Sequence, residues 1–191
     1  LLGNRLHRYD LLEVEKSSLV PSLTSLSETY DGLSITTPYK KHFFDEVVIN
    51  SEIVRDIGAI NTIAFRKSGI FGTNTDAIAV EQILLKMKSQ FPDLRLIILG
   101  EGVMARVTVL VARLLDLSFE QFSRKKGDDL IHLDLSAPRD SQTVVINCCS
   151  REFVFSGAIN RDFIFWDYNY SFLPHQKTLP MKVKSYVDGQ E

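Results

Sequence analysis

Ionisable and hydrogen-bonding side chains are concentrated in three short segments, at residues 34–40, 58–62 and 72–76. Each segment lies just beyond an apolar run that predicts a strand, and α/β proteins build their sites at the ends of strands. Lys40 and Asp76 supply a cation and a carboxylate, which could move a proton or stabilise a developing negative charge. Taken singly, Lys40 could be a surface lysine after a proline turn, Asn61 a turn former and Asp76 a helix cap.

A glycine-rich turn lies between a predicted strand at 94–99 and a predicted helix at 103–115. In Gly100-x-Gly102-x-x-Ala105 the first glycine permits a tight turn and the second lets the backbone approach a pyrophosphate. The small third residue allows the helix to pack close to the strand. Because the N-terminus of a helix offers free N–H groups to an anion, the pattern predicts a dinucleotide site. The alternative is a glycine turn in a fold that binds no nucleotide.

The residues that end the next predicted strand, at 117–123, indicate which dinucleotide binds. An NAD enzyme usually has an acidic residue there for the ribose 2′-hydroxyl. This chain has Ser123 and Arg124, followed by Lys125. A hydroxyl and cations suit a 2′-phosphate, so we predict NADP, although the same run could be a solvated loop of charges. Glu101 opposes binding, since its carboxylate repels a phosphate unless its side chain points to solvent.

Short strands and helices must position these residues. Before residue 76 the pattern predicts strands at 9–14, 32–36 and 58–65, an imperfect helix at 41–56, and a hairpin-like reversal at 68–69 that leads into 70–71. From residue 76 to Pro92 the spacing of the apolar residues predicts a helix. Further strands of the same parallel sheet are predicted at 143–148 and 163–168. The prediction is an α/β protein of two domains, an N-terminal α/β domain and a Rossmann-like domain with a parallel sheet.

Composition argues against several other classes of protein. The chain has 22 Lys and Arg against 24 Asp and Glu, whereas nucleic-acid-binding domains are usually distinctly basic. Its apolar stretches fall short of the roughly 18 residues that a membrane span needs, and it shows no signal peptide. The adjacent Cys148 and Cys149 are typical of buried thiols in a cytosolic protein and have no metal-ligand spacing. We therefore expect a cytoplasmic protein with no nucleic-acid, membrane or metal partner.

The order of the motifs resembles that of the shikimate dehydrogenase family. The family motifs N-V-T-x-P-x-K, G-A-x-N-T and G-x-N-T-D correspond here to S-I-T-T-P-Y-K, G-A-I-N-T and G-T-N-T-D, and the nucleotide loop follows. Later stretches resemble the I-N-A-T, D-x-x-Y…T-P-L and D-G segments of the family, at residues 145–147, 167–179 and 187–189. The remaining alternative is that the motifs match by chance in an unrelated α/β protein.

The resemblance implies a role for each matching residue. Lys40 and Asp76 would be the catalytic pair. The implied ligands are Thr36, Asn61 and Tyr170 for the substrate hydroxyls, Gly100, Gly102 and Ala105 for the pyrophosphate, and Ser123 and Arg124 for the 2′-phosphate. The family binds its substrate in the cleft between two domains. The implied division is therefore a substrate-binding domain at 1–76, an NADP-binding domain at 77–186, and the start of a return to the first domain at 187–191.

The implied activity is the reversible, NADPH-dependent reduction of 3-dehydroshikimate to shikimate in the biosynthesis of chorismate and aromatic amino acids. A lysine beside a carboxylate stays protonated at neutral pH, so Lys40 would stabilise the oxyanion and supply the proton, while Asp76 would orient Lys40. The protein would be a monomer or a homodimer. The alternatives are a quinate/shikimate dehydrogenase and a divergent, non-catalytic paralogue that binds a nucleotide or metabolite, which Glu101 and Val103 favour.

The chain departs from the family pattern at a few positions. Ser34 replaces an asparagine, Val103 replaces a loop glycine, and the segment after Asn147 lacks the usual threonine. The family's first strand, the S-x-S-P loop that binds the substrate carboxylate and a glutamine on its final helix have no counterpart in the sequence. We therefore expect the chain to be incomplete at both ends.

Overall fold

The structure is a computed structural model that describes residues 8–15, 20–36 and 38–189. Thr37 of the first motif and the outer bounds of the predicted domains lie outside these ranges. In chain order the helices are α1 (Leu23–Ser27), α2 (Glu52–Ile57), α3 (Thr75–Gln90), α4 (Val103–Leu114) and α5 (Leu173–Thr178). The strands are β1 (Gly32–Ser34), β2 (Thr62–Arg66), β3 (Gly69–Thr73), β4 (Arg95–Leu99), β5 (Ser118–Phe122), β6 (Thr143–Asn147), β7 (Ile164–Asp167) and β8 (Ser185–Asp188).

The first sheet is antiparallel and runs in the order β1-β2-β3. Its register pairs Ser34 with Thr62 and Thr62 with Thr73, so the polar ends of all three strands lie side by side. Val54, Ile60 and Ile63 pack into a small buried core beneath it. The sheet therefore brings the three motifs of the first 76 residues to one edge.

The second sheet is parallel and runs in the order β5-β4-β6-β7-β8. The strands β6 and β7 are buried along their whole length, as expected for central strands of a parallel sheet. The helices α3 and α4 cover one face, where Leu96 and Ile98 pack, while Ile97 and Leu99 point into a separate core on the other face. The predicted α/β fold class with a Rossmann-like parallel sheet is confirmed. The exact domain boundary stays a prediction.

Two predicted elements of the first half are wrong. Residues 9–14 form no strand, and Tyr9 and Leu11 remain 81% and 77% exposed. The predicted helix at 41–56 is broken into 3₁₀ turns at Tyr39–Lys41 and Phe44–Glu46, followed by the short helix α2. Between the second 3₁₀ turn and α2, Val48 forms a parallel bridge with the edge strand β3, because β-branched residues suit a strand better than a helix.

None of the helices in the described part of the chain is both long enough and apolar enough to cross a membrane.

Candidate active site

Lys40 and Asp76 form a close ion pair, although 36 positions separate them in the sequence. Lys40 Nζ lies 2.7 Å from Asp76 Oδ2, and the two side chains are 19% and 29% exposed. Lys40 belongs to the 3₁₀ turn that follows Pro38, and its carbonyl accepts a hydrogen bond from Ile60 N at 2.7 Å. A cation and a carboxylate that are both partly sheltered yet reachable can act on a small polar molecule.

Asp76 is held by the first turn of α3. Asn74 caps this helix, and its side-chain oxygen accepts the Asp76 N–H at 3.1 Å. Asn74 is itself completely buried, and its amide donates to the carbonyl of Ala59 at 3.1 Å. The start of α3 is thus tied to the second motif, which fixes the carboxylate that faces Lys40.

Asn61 joins the three motifs. Its backbone N–H donates to Thr73 O at 3.0 Å, and its carbonyl accepts from Ile35 N at 2.7 Å. Its side-chain oxygen accepts from Thr75 N at 2.9 Å, and its amide donates to Thr75 Oγ1 at 3.0 Å. Asn61 therefore has a structural task in addition to its predicted role as a substrate ligand. Thr36, the other predicted ligand from this region, is exposed.

The predicted nucleotide loop borders a cavity of about 780 Å³. Gly100 has φ +108°, and a Cβ atom there would lie 3.2 Å from the backbone of Cys148, so a glycine is required. Gly102 caps α4 and has open space where a Cβ would be, which leaves its backbone accessible to a ligand. Ala105 is completely buried, so α4 lies close to the sheet. The geometry at these three positions suits the roles predicted for the glycine motif, and the binding of a pyrophosphate there stays a prediction.

The cavity offers unused donors for an anion. Arg106, on the first turn of α4, lines the cavity, and its buried Nε has no hydrogen-bond partner among the described residues. The first turn of α4 contains no acidic side chain that would neutralise the helix end. The residues present therefore fit a phosphate-bearing cofactor. Arg106 was missed by the sequence analysis, although its place one residue after Ala105 could have indicated it.

The residues predicted for the 2′-phosphate lie at the end of β5. Arg124 lines the cavity, whereas Ser123 is almost completely buried, and its Oγ has no partner in the described part of the chain. The N–H of Ser123 donates to Asp128 Oδ2 at 2.7 Å. Glu101, which would have to point to solvent in order not to repel a phosphate, forms an ion pair with Lys125 at 3.0 Å, because the turn after β5 brings that cation alongside the glycine loop.

Tyr170 lies after the carboxyl end of β7 and is 51% exposed. Its ring packs beneath the guanidinium of Arg151, with 5.6 Å between the carbon of that group and the ring centre. Its role as a substrate ligand stays a prediction.

A buried network that the sequence analysis missed supports the far side of the cavity. Asp167 and His175 are both fully buried, and His175 Nδ1 lies 2.5 Å from Asp167 Oδ2. Phe155 N donates to His175 Nε2 at 2.8 Å, so the ring proton must be on Nδ1. Asn147 and Tyr186 also donate to Asp167, at 2.9 and 3.1 Å. The network fixes the 149–155 segment, part of which lines the cavity.

The two cysteines lie on different faces of the parallel sheet. Cys148 packs against the core beside α3 and α4, and Cys149 packs against the core on the opposite side. Burial raises the pKa of the Cys148 thiol far above its usual range and that of Cys149 to about 11. Both residues are therefore poor nucleophiles at neutral pH.

Comparison with known proteins shows what the chain is similar to. A family model described as the shikimate dehydrogenase substrate binding domain matches residues 3–63. Shikimate dehydrogenase (NADP(+)) of Clostridium perfringens is 33% identical over 101 residues, which cover 51% of this chain. The aligned part is 36% of that relative, so the chain matches little more than a third of its length.

Solved structures share the fold. A chorismate mutase/shikimate 5-dehydrogenase fusion protein from Clostridium acetobutylicum superposes with a TM-score of 0.61 at 24% identity, over 87% of this chain and 70% of that one. Shikimate 5-dehydrogenase of Thermus thermophilus, solved in complex with NADP(H) and shikimate, gives a TM-score of 0.62 at 17% identity, over 86% of this chain and 69% of that one. The chain is therefore similar to the shikimate dehydrogenase substrate binding domain over residues 3–63, and it shares its fold with solved shikimate dehydrogenases.

Proposed function

We propose that the chain is part of an NADP-dependent shikimate dehydrogenase, which catalyses the reversible reduction of 3-dehydroshikimate to shikimate. The observation that carries this proposal is the contact of 2.7 Å between Lys40 and Asp76. It joins the first and third motifs at a partly sheltered position, and Lys41, the next residue in the chain, lines the cavity at the glycine loop. The names of the curated relatives support the same activity and cofactor.

Lys40 acts as the acid in this mechanism. Lys40 Nζ, which Asp76 Oδ2 holds at 2.7 Å, donates a hydrogen bond to the 3-carbonyl oxygen of the substrate. The residues of the glycine loop would hold NADPH, which would supply the hydride for the carbonyl carbon. Lys40 stabilises the negative charge that develops on the oxygen and then transfers its proton to it. Asp76 orients Lys40 Nζ and accepts a hydrogen bond from a substrate hydroxyl.

The other residues bind and position the two reactants. We assign Thr36, Asn61 and Tyr170 to the substrate hydroxyls. Support comes from Asn61, which already links the segment that holds Lys40 to the helix that holds Asp76.

The cofactor residues follow the walls of the cavity. Gly100, Gly102 and Ala105 would hold the pyrophosphate, since the glycine backbone is open to the cavity and Ala105 lets the helix approach. Ser123 and Arg124 would hold the 2′-phosphate, and the unpartnered Ser123 Oγ supports this assignment.

The finer description of the protein also remains a proposal. We assign residues 1–76 to the substrate-binding domain, 77–186 to the NADP-binding domain, and 187–191 to the start of the return to the first domain. We expect a cytoplasmic enzyme that acts as a monomer or a homodimer.

The test is Lys40→Met, which removes the acid and keeps much of the side-chain length. We expect kcat for shikimate oxidation to fall by about 1,000-fold, because acid–base catalysis and oxyanion stabilisation are lost together. The Kd of NADP should stay within about twofold of the wild-type value, since Lys40 lies outside the cofactor residues. Lys67→Met, in the exposed turn between β2 and β3, is the matched control. A Lys40→Met variant that keeps more than about a tenth of the wild-type kcat would refute the proposed role.

A further inference from the structure

We infer that Glu101 is a specificity-determining residue of the dinucleotide cavity, which competes with the 2′-phosphate for Lys125 and so lowers the preference for NADP over NAD. This inference rests on the proposed function, because it concerns the same cofactor site. Glu101 is not part of the glycine motif, and its opposition to phosphate was foreseen only as a general repulsion.

The ion pair of Glu101 connects the two segments that would hold the phosphates. Glu101 lies between the two glycines of the loop, and Lys125 lies in the 3₁₀ turn Arg124–Lys126 after β5. Their charged atoms are 3.0 Å apart, and both residues line the cavity. Gln121 Nε2 donates to Gly100 O at 2.9 Å, which holds the end of β5 beside the loop. The pair therefore spans the cavity wall between the two predicted phosphate positions.

Few of the cations in this turn are left for a 2′-phosphate. Lys126 Nζ donates to the carbonyl of Gln121 at 3.0 Å, and Lys125 is occupied by Glu101. Arg124 remains as the cation that faces the cavity. A second carboxylate, that of Asp128, takes the N–H of Ser123 at 2.7 Å. The position predicted for the 2′-phosphate thus has two carboxylates close to it in addition to the cations.

Glu101 is charged at neutral pH. Partial desolvation raises its pKa, but the hydrogen bond to Lys125 and the nearby cations outweigh that effect, and the pKa lies below its usual range. A 2′-phosphate must displace this carboxylate from Lys125 in order to bind the ammonium itself. NAD has a hydroxyl at the same position and needs no such displacement, so the competition affects NADP alone.

The second effect of Glu101 does not discriminate between the cofactors. Its carboxylate repels the pyrophosphate, which NAD and NADP share. Removal of the charge should therefore strengthen the binding of both cofactors to some extent, and that of NADP by an additional factor. The additional factor should depend on Lys125, and this dependence separates the two effects.

The test is Glu101→Gln, with NADP and NAD titrated separately by calorimetry at low ionic strength. Because Lys125 is 83% exposed, its ion pair with Glu101 is weak, and we expect the ratio of Kd for NAD to Kd for NADP to rise by about threefold to fivefold. In a Lys125→Met background the same substitution should leave that ratio unchanged. Glu152→Gln is the matched control, since Glu152 lines the same cavity and forms no ion pair with any described residue. It should shift both cofactors alike.

An equal gain for NADP and NAD in Glu101→Gln would overturn the inference, since it would leave only general repulsion. An unchanged gain in the Lys125→Met background would overturn it as well, and so would a failure of every variant to bind either dinucleotide. A Lys125-dependent rise in the ratio without any oxidation of shikimate would refute the proposed function and uphold the inference.

Discussion

Asp167→Asn tests the buried network that supports the cavity. Each carboxylate oxygen of Asp167 accepts two hydrogen bonds. Oδ1 receives Asn147 Nδ2 and Asn169 N, both at 2.9 Å. Oδ2 receives His175 Nδ1 at 2.5 Å and Tyr186 Oη at 3.1 Å. Asparagine has the same shape but one oxygen fewer, so its NH₂ group must face two donors.

The size of the stability loss depends on which hydrogen-bond donors can adjust to the new amide group. The Tyr186 hydroxyl can rotate away from the new amide. His175 cannot move its ring proton, because its Nε2 already accepts the N–H of Phe155 at 2.8 Å. One buried donor is then unpaired, at about 1–3 kcal/mol, and a hydrogen bond to a charged group worth about 1.5–3 kcal/mol is lost. We expect the free energy of unfolding to fall by about 3–5 kcal/mol.

Urea denaturation followed by circular dichroism measures this loss. The control is Asp134→Asn, since Asp134 also accepts two hydrogen bonds, both from Ser136, but is exposed to solvent. It should leave the urea midpoint close to that of the wild type. If Asp167→Asn lowers the unfolding free energy by less than about 1 kcal/mol, the fixed tautomer of His175 and the reasoning built on it are wrong.

Further expectations concern the cysteine and the glycines of the cavity. Because burial raises the pKa of Cys149 to about 11, its thiolate is scarce near neutral pH. Iodoacetamide should alkylate Cys149 about 100-fold more slowly than a free thiol, and the rate should increase as the pH approaches that pKa. Mass spectrometry measures the rate of alkylation, and a rate equal to that of a free thiol would contradict the burial of Cys149. Gly100→Ala should lower both the thermal midpoint and the affinity for NADP, since its backbone has φ +108°. Gly102→Ala should lower the affinity alone, and an unchanged Kd would argue against a pyrophosphate at that turn.

The second half of the fold was predictable because its signals are local. The strands β4 and β6 are apolar runs, and Gly100, between β4 and α4, marks a turn that other residues adopt only with strain. The ion pair of Lys40 and Asp76 was predictable for a different reason. Nothing local relates the two residues, and only the order of the motifs suggested that they meet.

The elements that were missed depend on distant partners. The strand β8 has four residues and is a strand only because it pairs with β7, and α5 is a single short segment with a proline in its first turn. Asp167 ends β7 and His175 lies in α5, and nothing local in the sequence indicates that the two side chains meet. Both side chains are buried because α5 packs against the sheet, and a short stretch of sequence does not indicate this packing.

The length of α3 has a consequence for how the two sheets must be held. The helix has 16 residues and is therefore about 24 Å long, with Asp76 at one end and its packing against α4 along its side. Asn74 and Thr75 tie the Asp76 end of α3 to the second motif, which also bonds to the Lys40 turn. A tilt of about 5° around that end would move the far end of the helix by about 2 Å and leave the contact with the ammonium in place. A movement of the parallel sheet would therefore shift the glycine loop relative to the proton-transfer pair and keep the pair itself intact.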